Sequence, residues 1–277
     1  MEKILIMGDI HGDWRPVRDL YERHKNTFDN QETTLILLGD FGGNYFFNHR
    51  DEEFKKKLRN YSFKYFVIRG NHEERPSILA KQHPYEWHTE PYWGWYVWVE
   101  NKYPYIKYAM DYVTMYRIPA GIEYMDPDNS EDDDIEIQQY YKTLVIPGAY
   151  SVDKYYRLQN GWSWFPQEQL SESEMQSGEE LLDLFNWKCD LVLSHTCPII
   201  YEPTDLFLST TNQAMVDKSM ERYLGEIECK LNYKAWCWGH YHQFRDYPHA
   251  DGRFRTMLFN DAAIDLEEYM NGRINKL

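Results

Sequence analysis

The stretch that decides the fold is KILIMGDIHG at residues 3–12, where a short apolar run leads directly into a glycine, an aspartate and a histidine. Continuous rather than alternating apolarity is typical of a strand that is covered on both faces. The same design recurs along the chain, with each apolar run followed by Gly, Asp, Asn or His. The runs begin at Lys3, Thr34, Tyr65, Thr143, Asp190, Ala235 and Thr256.

Helical stretches lie between these runs, at residues 16–25, 51–60, 75–82, 178–187 and 211–231. Strands that alternate with helices favour an α/β sandwich with crossover connections. The chain has 277 residues, without an internal repeat or a linker rich in Pro, Gly or Ser. A single domain over residues 1–277 is therefore the simplest interpretation.

Aromatic residues are unusually frequent, at 17% of the chain with 24 Tyr and 10 Trp, too many for one core. Tyr and Trp at a surface often mark recognition sites. Their densest segment, residues 84–118, is interpreted as an insertion near the functional site. It either packs on the core as a cover or forms a substrate-facing wall. An acidic run at residues 126–134 is interpreted as a solvated turn, because it lacks the glycine and closing glutamate of a calcium loop.

The formal net charge of −15, without a block of Lys or Arg, argues against duplex nucleic acid as a partner. No apolar run approaches the ~18 residues of a membrane span. The first core strand begins at Lys3, where a signal peptide would lie, so we expect a cytoplasmic protein without a membrane partner. The cysteines form no CxxC pair and are expected to be buried reduced thiols. They are Cys189, Cys197, Cys229 and Cys237.

Five polar blocks, each directly after a predicted strand, carry candidate metal ligands. Loops converge at the carboxyl ends of strands in an α/β sheet, so these side chains are expected to meet there. In Asp-x-His or His-x-His, alternate side chains point the same way and can bind one ion, while the carboxylate of Asp40 can bridge two. Imidazole with carboxylate suits Mn, Fe and Zn, and the lack of thiolate argues against a structural zinc site. The blocks are GDIHG (8–12), GDFGG (39–43), RGNHE (69–73), SHT (194–196) and GHYH (239–242).

These blocks resemble those of the calcineurin-like metallophosphoesterase superfamily, and GDIHG with RGNHE is especially similar to its Ser/Thr protein phosphatase branch. The resemblance implies a four-layer αββα sandwich with the metal site at the C-terminal ends of the strands. It also implies that His72 is the catalytic histidine, which binds no metal and protonates the leaving oxygen. The implied ligands are Asp9, His11 and His242 for one ion, Asn71, His195 and His240 for the other, and Asp40 for both.

Two divalent ions roughly 3.5–4 Å apart can hold a bridging hydroxide and polarise a phosphate oxygen. The expected reaction is hydrolysis of a phosphate ester by that hydroxide. A general acid at His72 would contribute about 10²–10⁴-fold. Manganese is the first expectation for both ions, with iron or zinc as alternatives.

The second block departs from the protein phosphatase pattern. That branch reads GDxVDRG, where the second Asp orients the catalytic histidine and the Arg contacts phosphate. Gly43 and Asn44 occupy those positions here, which leaves the residue that orients His72 unassigned. The candidate phosphate contacts are Arg157, Lys154 and Asn44, in that order, and each is equally compatible with a surface or structural role.

A further stretch, GAYSVDKYYR at residues 148–157 followed by GWSWF at 161–165, resembles a GGAxSxDxxxR…GxxWW segment of small phage and bacterial metallophosphoesterases. The resemblance places Asp153, Lys154 and Arg157 on a loop after a strand, near the metal edge. A purely structural role for this segment is an equal alternative.

Three functions follow from these observations. The motifs favour a phosphomonoesterase similar to protein phosphatases. The missing Asp-Arg pair and the aromatic segments favour a nucleotide or oligonucleotide phosphodiesterase, because bases stack on aromatic side chains. A non-catalytic protein with a metal-scaffolded interaction surface is disfavoured, because all seven ligands and His72 are present. The expected substrate is a phosphorylated small molecule, a nucleotide or a phosphoprotein.

Overall fold

The computed structural model describes residues 2–125, 135–207, 209, 211–247 and 250–277, so the predicted acidic turn at 126–134 lies outside the described residues. The described strands are β1 (Lys3–Met7), β2 (Thr33–Leu37), β3 (Phe63–Val67), β4 (Trp87–Tyr92), β5 (Trp95–Glu100), β6 (Ile106–Tyr108), β7 (Thr114–Met125), β8 (Ile135–Ile146), β9 (Leu191–Ser194), β10 (Ala235–Trp238), β11 (Arg245–Tyr247), β12 (Phe254–Met257) and β13 (Ala263–Asp265). The α-helices are α1 (Arg15–Phe28), α2 (His49–Leu58), α3 (Pro76–Gln82), α4 (Lys154–Gln159), α5 (Glu172–Leu184), α6 (Ser219–Lys230) and α7 (Leu266–Met270).

The strands form two sheets, each with a parallel centre and antiparallel edges. In the first sheet the order is β13-β1-β2-β3-β6-β5-β4, and β1, β2, β3 and β6 run parallel. In the second sheet the order is β11-β12-β10-β9-β8-β7, and β12, β10, β9 and β8 run parallel. Parallel strands end at the same edge of their sheet, so the loops that follow them are neighbours.

Three apolar cores separate the layers. Leu5 and Met7 of β1 pack with residues of α1, α2 and α3, whereas Ile4 and Ile6 face the second sheet. A third core lies between the second sheet and α5 and α6. The order is therefore helix, sheet, sheet, helix, and the predicted αββα sandwich is confirmed. The unbroken apolar runs follow from this arrangement, since both faces of each central strand are buried.

Residues 87–108 of the aromatic-rich segment 84–118 form the edge of the first sheet, whereas its last residues begin β7 of the second sheet. The hairpin of β4 and β5 pairs with β6, which pairs in turn with β3. Val97, Val99 and Ile106 are fully buried, and Tyr103 and Tyr108 almost so. The segment therefore packs on the core, as one of its two interpretations expected.

Two helices differ from the sequence expectation for local reasons. α5 begins at Glu172 rather than at residue 178, because Ser171 and Glu174 form a capping box in which each side chain accepts from the other's backbone N–H. α6 begins at Ser219 rather than at residue 211. The Ser219 N–H donates to Asp217 Oδ1 at 2.9 Å, and this local turn starts the helix later.

All four cysteines are free, and Cys189, Cys197 and Cys237 are buried as expected. Cys229 is exposed, which corrects the expectation for that residue. It lies on the solvent-facing side of α6, whose buried side carries Leu224 and Ile227. Among the described residues, no helix combines the length and apolarity needed to cross a membrane.

Candidate metal centre

The loops that follow five parallel strands meet at one edge of the two sheets. Three of these loops come from the first sheet, after β1, β2 and β3, and two come from the second, after β9 and β10. They bring together all seven of the predicted ligands, which are Asp9, Asp40, Asn71, His195, His240, His11 and His242.

The carboxylates and imidazoles fall into two overlapping groups, and Asp40 belongs to both. The ligand atoms within each group lie within 4.8 Å of one another. The division is the one that the family resemblance implies, with Asn71 completing the second group. The groups are Asp9, His11, Asp40 and His242, and Asp40, His195 and His240.

In the first group, nitrogen and oxygen atoms point at a common centre. Nε2 of His11 lies 2.8 Å from Nε2 of His242 and 3.9 Å from Oδ2 of Asp9. It also lies 3.8 Å from Oδ2 of Asp40, and Nε2 of His242 lies 3.5 Å from Oδ2 of Asp9. This donor set of two carboxylates and two imidazoles fits a divalent transition metal.

In the second group, a backbone carbonyl orients the ring of His195. Its Nδ1 lies 2.7 Å from the carbonyl oxygen of Leu38, which can only accept, so Nδ1 carries the proton. Nε2 is then the nitrogen that faces the cluster, 2.8 Å from Oδ1 of Asn71 and 3.4 Å from Oδ1 of Asp40. A carbonyl behind a ligating imidazole is the usual support of a metal-bound histidine.

The electrostatics of the cluster also fit cations. Burial raises the pKa of Asp9 to about 6, against the attraction of His195. Burial lowers the pKa of His242 to about 4 and that of His240 well below its ordinary value, so both rings are neutral at pH 7, as metal ligands must be. Burial also lowers the pKa of His195, but Asp40 outweighs it and raises the pKa to about 9. A cation would replace this proton as the partner of the buried carboxylates.

Four of the eight described non-glycine residues with positive φ angles are predicted ligands. Positive φ angles occur at His11 (47°), Asp40 (46°), His240 (70°) and His242 (54°), in the left-handed region that side chains other than Gly rarely adopt. Such conformations persist where the surrounding structure enforces them, and they cluster at functional sites.

Two glycines allow the ligand side chains to lie directly against backbone. A Cβ atom at Gly70 would come within 2.0 Å of Oδ1 of Asp40. A Cβ atom at Gly239 would come within 2.1 Å of Oδ1 of Asp9. Any larger residue at either position would displace a predicted ligand.

His72 lies beside the cluster. Its backbone N–H donates to Oδ1 of Asp40 at 2.8 Å, and its ring centroid is 5.1 Å from that of His11. The ring stacks on Tyr45 with centroids 6.1 Å apart, and its Nε2 lies 3.3 Å from Nη2 of Arg157. Tyr45 and Arg157 are therefore the side chains that contact the ring of His72, whose orienting residue the sequence left unassigned.

Of the three predicted phosphate contacts, Arg157 is the one whose side chain has a described contact with His72. Its guanidinium is fully buried and binds Oδ1 of Asp153 at 2.9 Å. Lys154 begins α4 with Nζ 3.9 Å above the ring of Trp164. Asn44 is buried in the loop after β2, where it accepts a hydrogen bond from Lys55 at 3.3 Å. Neither Lys154 nor Asn44 lines the described part of the cleft, and their role as phosphate contacts stays a prediction.

Two residues that sequence reasoning did not single out support Asn71. Its Nδ2 donates to Oγ of Ser151 at 3.0 Å, which leaves Oδ1 facing His195 and the cluster. Ser151 in turn donates from its backbone N–H to Oε1 of Glu168 at 3.0 Å, and its hydroxyl contacts the same carboxylate. Ser151 lies in the stretch that resembles other metallophosphoesterases, so a signal existed for it. The sequence around Glu168 offered none.

A cleft of about 270 Å³ opens beside the cluster. Asp40, Asn71, His72 and His240 form its floor, and Tyr150, Val152 and Phe207 contribute apolar wall. A second cavity of about 460 Å³ shares Tyr150 and Val152 with it and extends to Tyr155, Tyr156 and Met215. No residue of segment 84–118 lines the described part of either cavity, so the segment is not a wall of this cleft.

Comparison with known proteins identifies the family. A family model described as calcineurin-like phosphoesterase matches residues 2–244. The chain belongs to the calcineurin-like phosphoesterase family. Its Asp–His cluster offers ligands for the two divalent ions that such phosphoesterases typically bind.

Solved structures share the fold of this phosphoesterase at low sequence identity. A dimetal phosphatase from Danio rerio is 9% identical, with a TM-score of 0.50 over 96% of this chain and 93% of that one. The protein TT1561 of Thermus thermophilus is 11% identical, with a TM-score of 0.49 over 99% and 97%. The phosphopantetheinyl hydrolase PptH from Mycobacterium tuberculosis is 12% identical, with a TM-score of 0.42 over 94% and 90%. No curated protein matches the chain.

Proposed function

We propose that this phosphoesterase hydrolyses phosphomonoesters of small organic molecules with the help of two divalent ions, manganese first among the candidates. The observation that carries the proposal is the pair of overlapping ligand groups that share Asp40, with His72 and Arg157 at their side. Asp9, His11 and His242 would hold one ion. Asn71, His195 and His240 would hold the other.

When bound, such a pair of ions polarises phosphate oxygens and makes water nucleophilic at neutral pH. The chain itself contributes orientation. The backbone N–H of His72 donates to Asp40 and orients its carboxylate. The hydrogen bond from Ser151 to Glu168 holds Ser151 behind Asn71 and so orients the amide. Preorganisation of this kind lowers the cost of reaching the transition state.

We expect His72, which lines the cleft, to act on the ester itself. Arg157 is fully buried with Nη2 3.3 Å from Nε2 of His72, so its charge would act on a phosphoryl group bound beside that ring. Burial and Arg157 lower the pKa of His72, and Asp40 opposes them. A bound phosphate is an anion and acts in the same direction as Asp40, which favours the protonated imidazole that a general acid needs.

The size of the cleft favours a small substrate. At about 270 Å³ it lies near the lower end of ligand sites, which span roughly 300–1,000 Å³. Its wall of Tyr150, Val152 and Phe207 suits an apolar or aromatic leaving group better than the surface of a folded phosphoprotein.

Hydrolysis of a nucleotide phosphodiester is a second candidate. The adjoining cavity of about 460 Å³ continues the cleft past Tyr155 and Tyr156 and would give room for the second organic group of a diester. Exposed tyrosine faces can stack on bases, a contact worth about 1–3 kcal/mol per base.

Hydrolysis of p-nitrophenyl phosphate and bis-p-nitrophenyl phosphate tests both candidates. Chelator-treated protein should be inactive, and Mn²⁺ should restore turnover in the wild type but not in Asp40→Asn. Asp19→Asn, an exposed carboxylate on α1, is the matched control and should behave as wild type. Faster turnover of the monoester supports the first candidate, and faster turnover of the diester supports the second. No turnover of either ester by protein with two bound metals would contradict both and favour a metal-scaffolded binding protein.

A further inference from the structure

A separate cavity of about 540 Å³ lies on the outer face of the second sheet and shares no lining residue with the metal cleft. Its walls come from the β4–β5 hairpin, from β7 and β8, and from α5. The volume falls within the range of roughly 300–1,000 Å³ that small-molecule sites occupy. Its lining combines cationic and aromatic side chains, which are residue types that can bind an aromatic anion.

Two positive side chains lie side by side on the sheet that forms one wall of this cavity. Arg117 of β7 and Lys142 of β8 are direct cross-strand partners in the antiparallel pair. Both line the cavity, as does Met115, which lies two residues from Arg117 and so on the same face of the sheet. Like charges placed directly opposite in a sheet repel each other, so an anion bound between these two side chains would relieve that repulsion.

A described carboxylate near this pair is engaged by backbone, since Oδ2 of Asp190 accepts from the N–H of Lys142 at 2.7 Å. The guanidinium of Arg117 lies 5.1 Å from the ring centroid of Tyr140, and neither it nor Lys142 has an ion pair with a described residue. Glu174 also lines the cavity, but its carboxylate is engaged by Arg75. The other lysines of the described strands each have a carboxylate partner: Lys3 with Asp265, Lys64 with Glu32, and Lys107 with Glu90.

The remaining walls of the cavity can pack against an aromatic ring of a ligand. Trp95 and Tyr112 line the cavity and remain 40% and 39% exposed. Ser173 and Ser177 lie one turn apart on α5 and add hydroxyl groups to the opposite wall. A flat ring can pack on the aromatic side chains, while a charged group reaches the cations.

We propose that this cavity binds a small aromatic anion of nucleotide size. The anionic group lies between Arg117 and Lys142, where it removes their mutual repulsion. The ring packs against Trp95 and Tyr112. This site is independent of the metal centre and of the reaction that occurs there.

Calorimetric titration of adenosine monophosphate tests the proposal. The chelator-treated Asp40→Asn protein is used, so that hydrolysis and metal-bound phosphate do not contribute. We expect one nucleotide per chain, and adenosine without phosphate should bind about tenfold more weakly or worse. Inorganic phosphate should also bind more weakly, because it lacks the ring.

Variants assign the binding to this cavity. Lys142→Glu should weaken nucleotide binding about tenfold or more, since it removes one cation and adds an opposing charge. Lys25→Glu makes the same charge change on α1, in the opposite outer layer, and should leave the affinity unchanged. Thermal melting should show that Lys142→Glu is folded, because it turns a repulsive pair with Arg117 into an attractive one. If it is not folded, Lys142→Gln takes its place.

Three results would overturn the proposal. The first is no detectable binding of adenosine monophosphate up to millimolar concentration. The second is equal binding by wild type and by the folded Lys142 variant. The third is equal affinity for adenosine and its monophosphate, since the cations would then play no part.

Discussion

At the scale of single residues, the metal centre is built at a cost in backbone conformation. Four of the seven predicted ligands have positive φ angles, and a side chain in this region costs roughly 1–2 kcal/mol. This strain could not be predicted from the sequence, because Asp and His are common residues in loops. It arises because the sharp turns after β1, β2 and β10 must aim their side chains at one point.

The strain at His242 predicts an unusual order of stability for two variants. His242→Gly should be more stable than His242→Ala by about 1 kcal/mol, because glycine adopts a φ of 54° without penalty. Both variants remove the same ligand, so the comparison isolates the backbone. Urea unfolding of the chelator-treated proteins measures the difference. Greater stability of the alanine variant, the usual order where φ is negative, would show that the turn is not strained.

Glu221 predicts a pH effect on stability. Burial raises its pKa from 4.5 to about 7, although Thr196 donates a hydrogen bond to it at 2.7 Å. Because the pKa of Glu221 is higher in the folded state, its protonated form favours folding. The contribution of Glu221 to the free energy of unfolding is therefore complete below pH 4.5 and is lost as pH rises through about 7. Glu221→Gln should therefore gain stability relative to wild type across this window, by about 3 kcal/mol. Urea unfolding at several pH values measures the gain, and a constant difference between the two proteins would contradict it.

At the scale of secondary-structure elements, the segment from Ser151 to Glu168 supports the centre from outside. Ser151 joins Asn71 to Glu168, and Arg157 of α4 joins the same segment to His72. The segment therefore positions one predicted ligand and the predicted acid together. This gives a structural reason for the stretch that resembles other metallophosphoesterases.

Ser151→Ala should weaken binding of the second of two Mn²⁺ ions by about 10–100-fold, the usual effect of removing a group behind a ligand. The first ion should bind with unchanged affinity, because Asp9, His11 and His242 do not contact Ser151 in the structure. Calorimetric titration of Mn²⁺ into chelator-treated protein resolves the two events. Ser62→Ala, an exposed serine before β3, is the control. Equal weakening of both ions would point to a general loss of structure instead.

Elements with strong apolar runs could be predicted from the sequence, and the others could not. The bounds expected for β1 and β10 agree with Lys3–Met7 and Ala235–Trp238, because their residues are buried on both faces. The edge strands β4 and β5 were not predicted as strands. Their burial is partial, and a run of Trp and Tyr lacks a clear period.

At the scale of the whole molecule, the order of layers and the place of the centre followed from the sequence. Ligand blocks after parallel strands must meet at one edge, so the two sheets bring all seven residues together. Which other side chains reach the cleft could not be predicted in the same way. Lys154 contacts Trp164 and Asn44 contacts Lys55, and these are partners that only the folded chain brings near. The metal roles of the seven residues stay a prediction.

Metal binding should stabilise the whole molecule. A ligand at a hundred times its dissociation constant adds about 2.7 kcal/mol per site to the free energy of unfolding. Mn²⁺ should therefore raise the melting temperature of the chelator-treated wild type. Asp40→Asn, which weakens both sites, should show a much smaller rise, and Asp19→Asn should show the full one. An equal rise in all three proteins would place the effect outside the centre.

Anomalous diffraction from crystals grown with Mn²⁺ tests the central claim most directly. We expect two strong peaks roughly 3.5–4 Å apart, with Asp40 between them and three further predicted ligands around each. A single peak, or two peaks that do not share Asp40, would contradict a two-metal centre in this phosphoesterase.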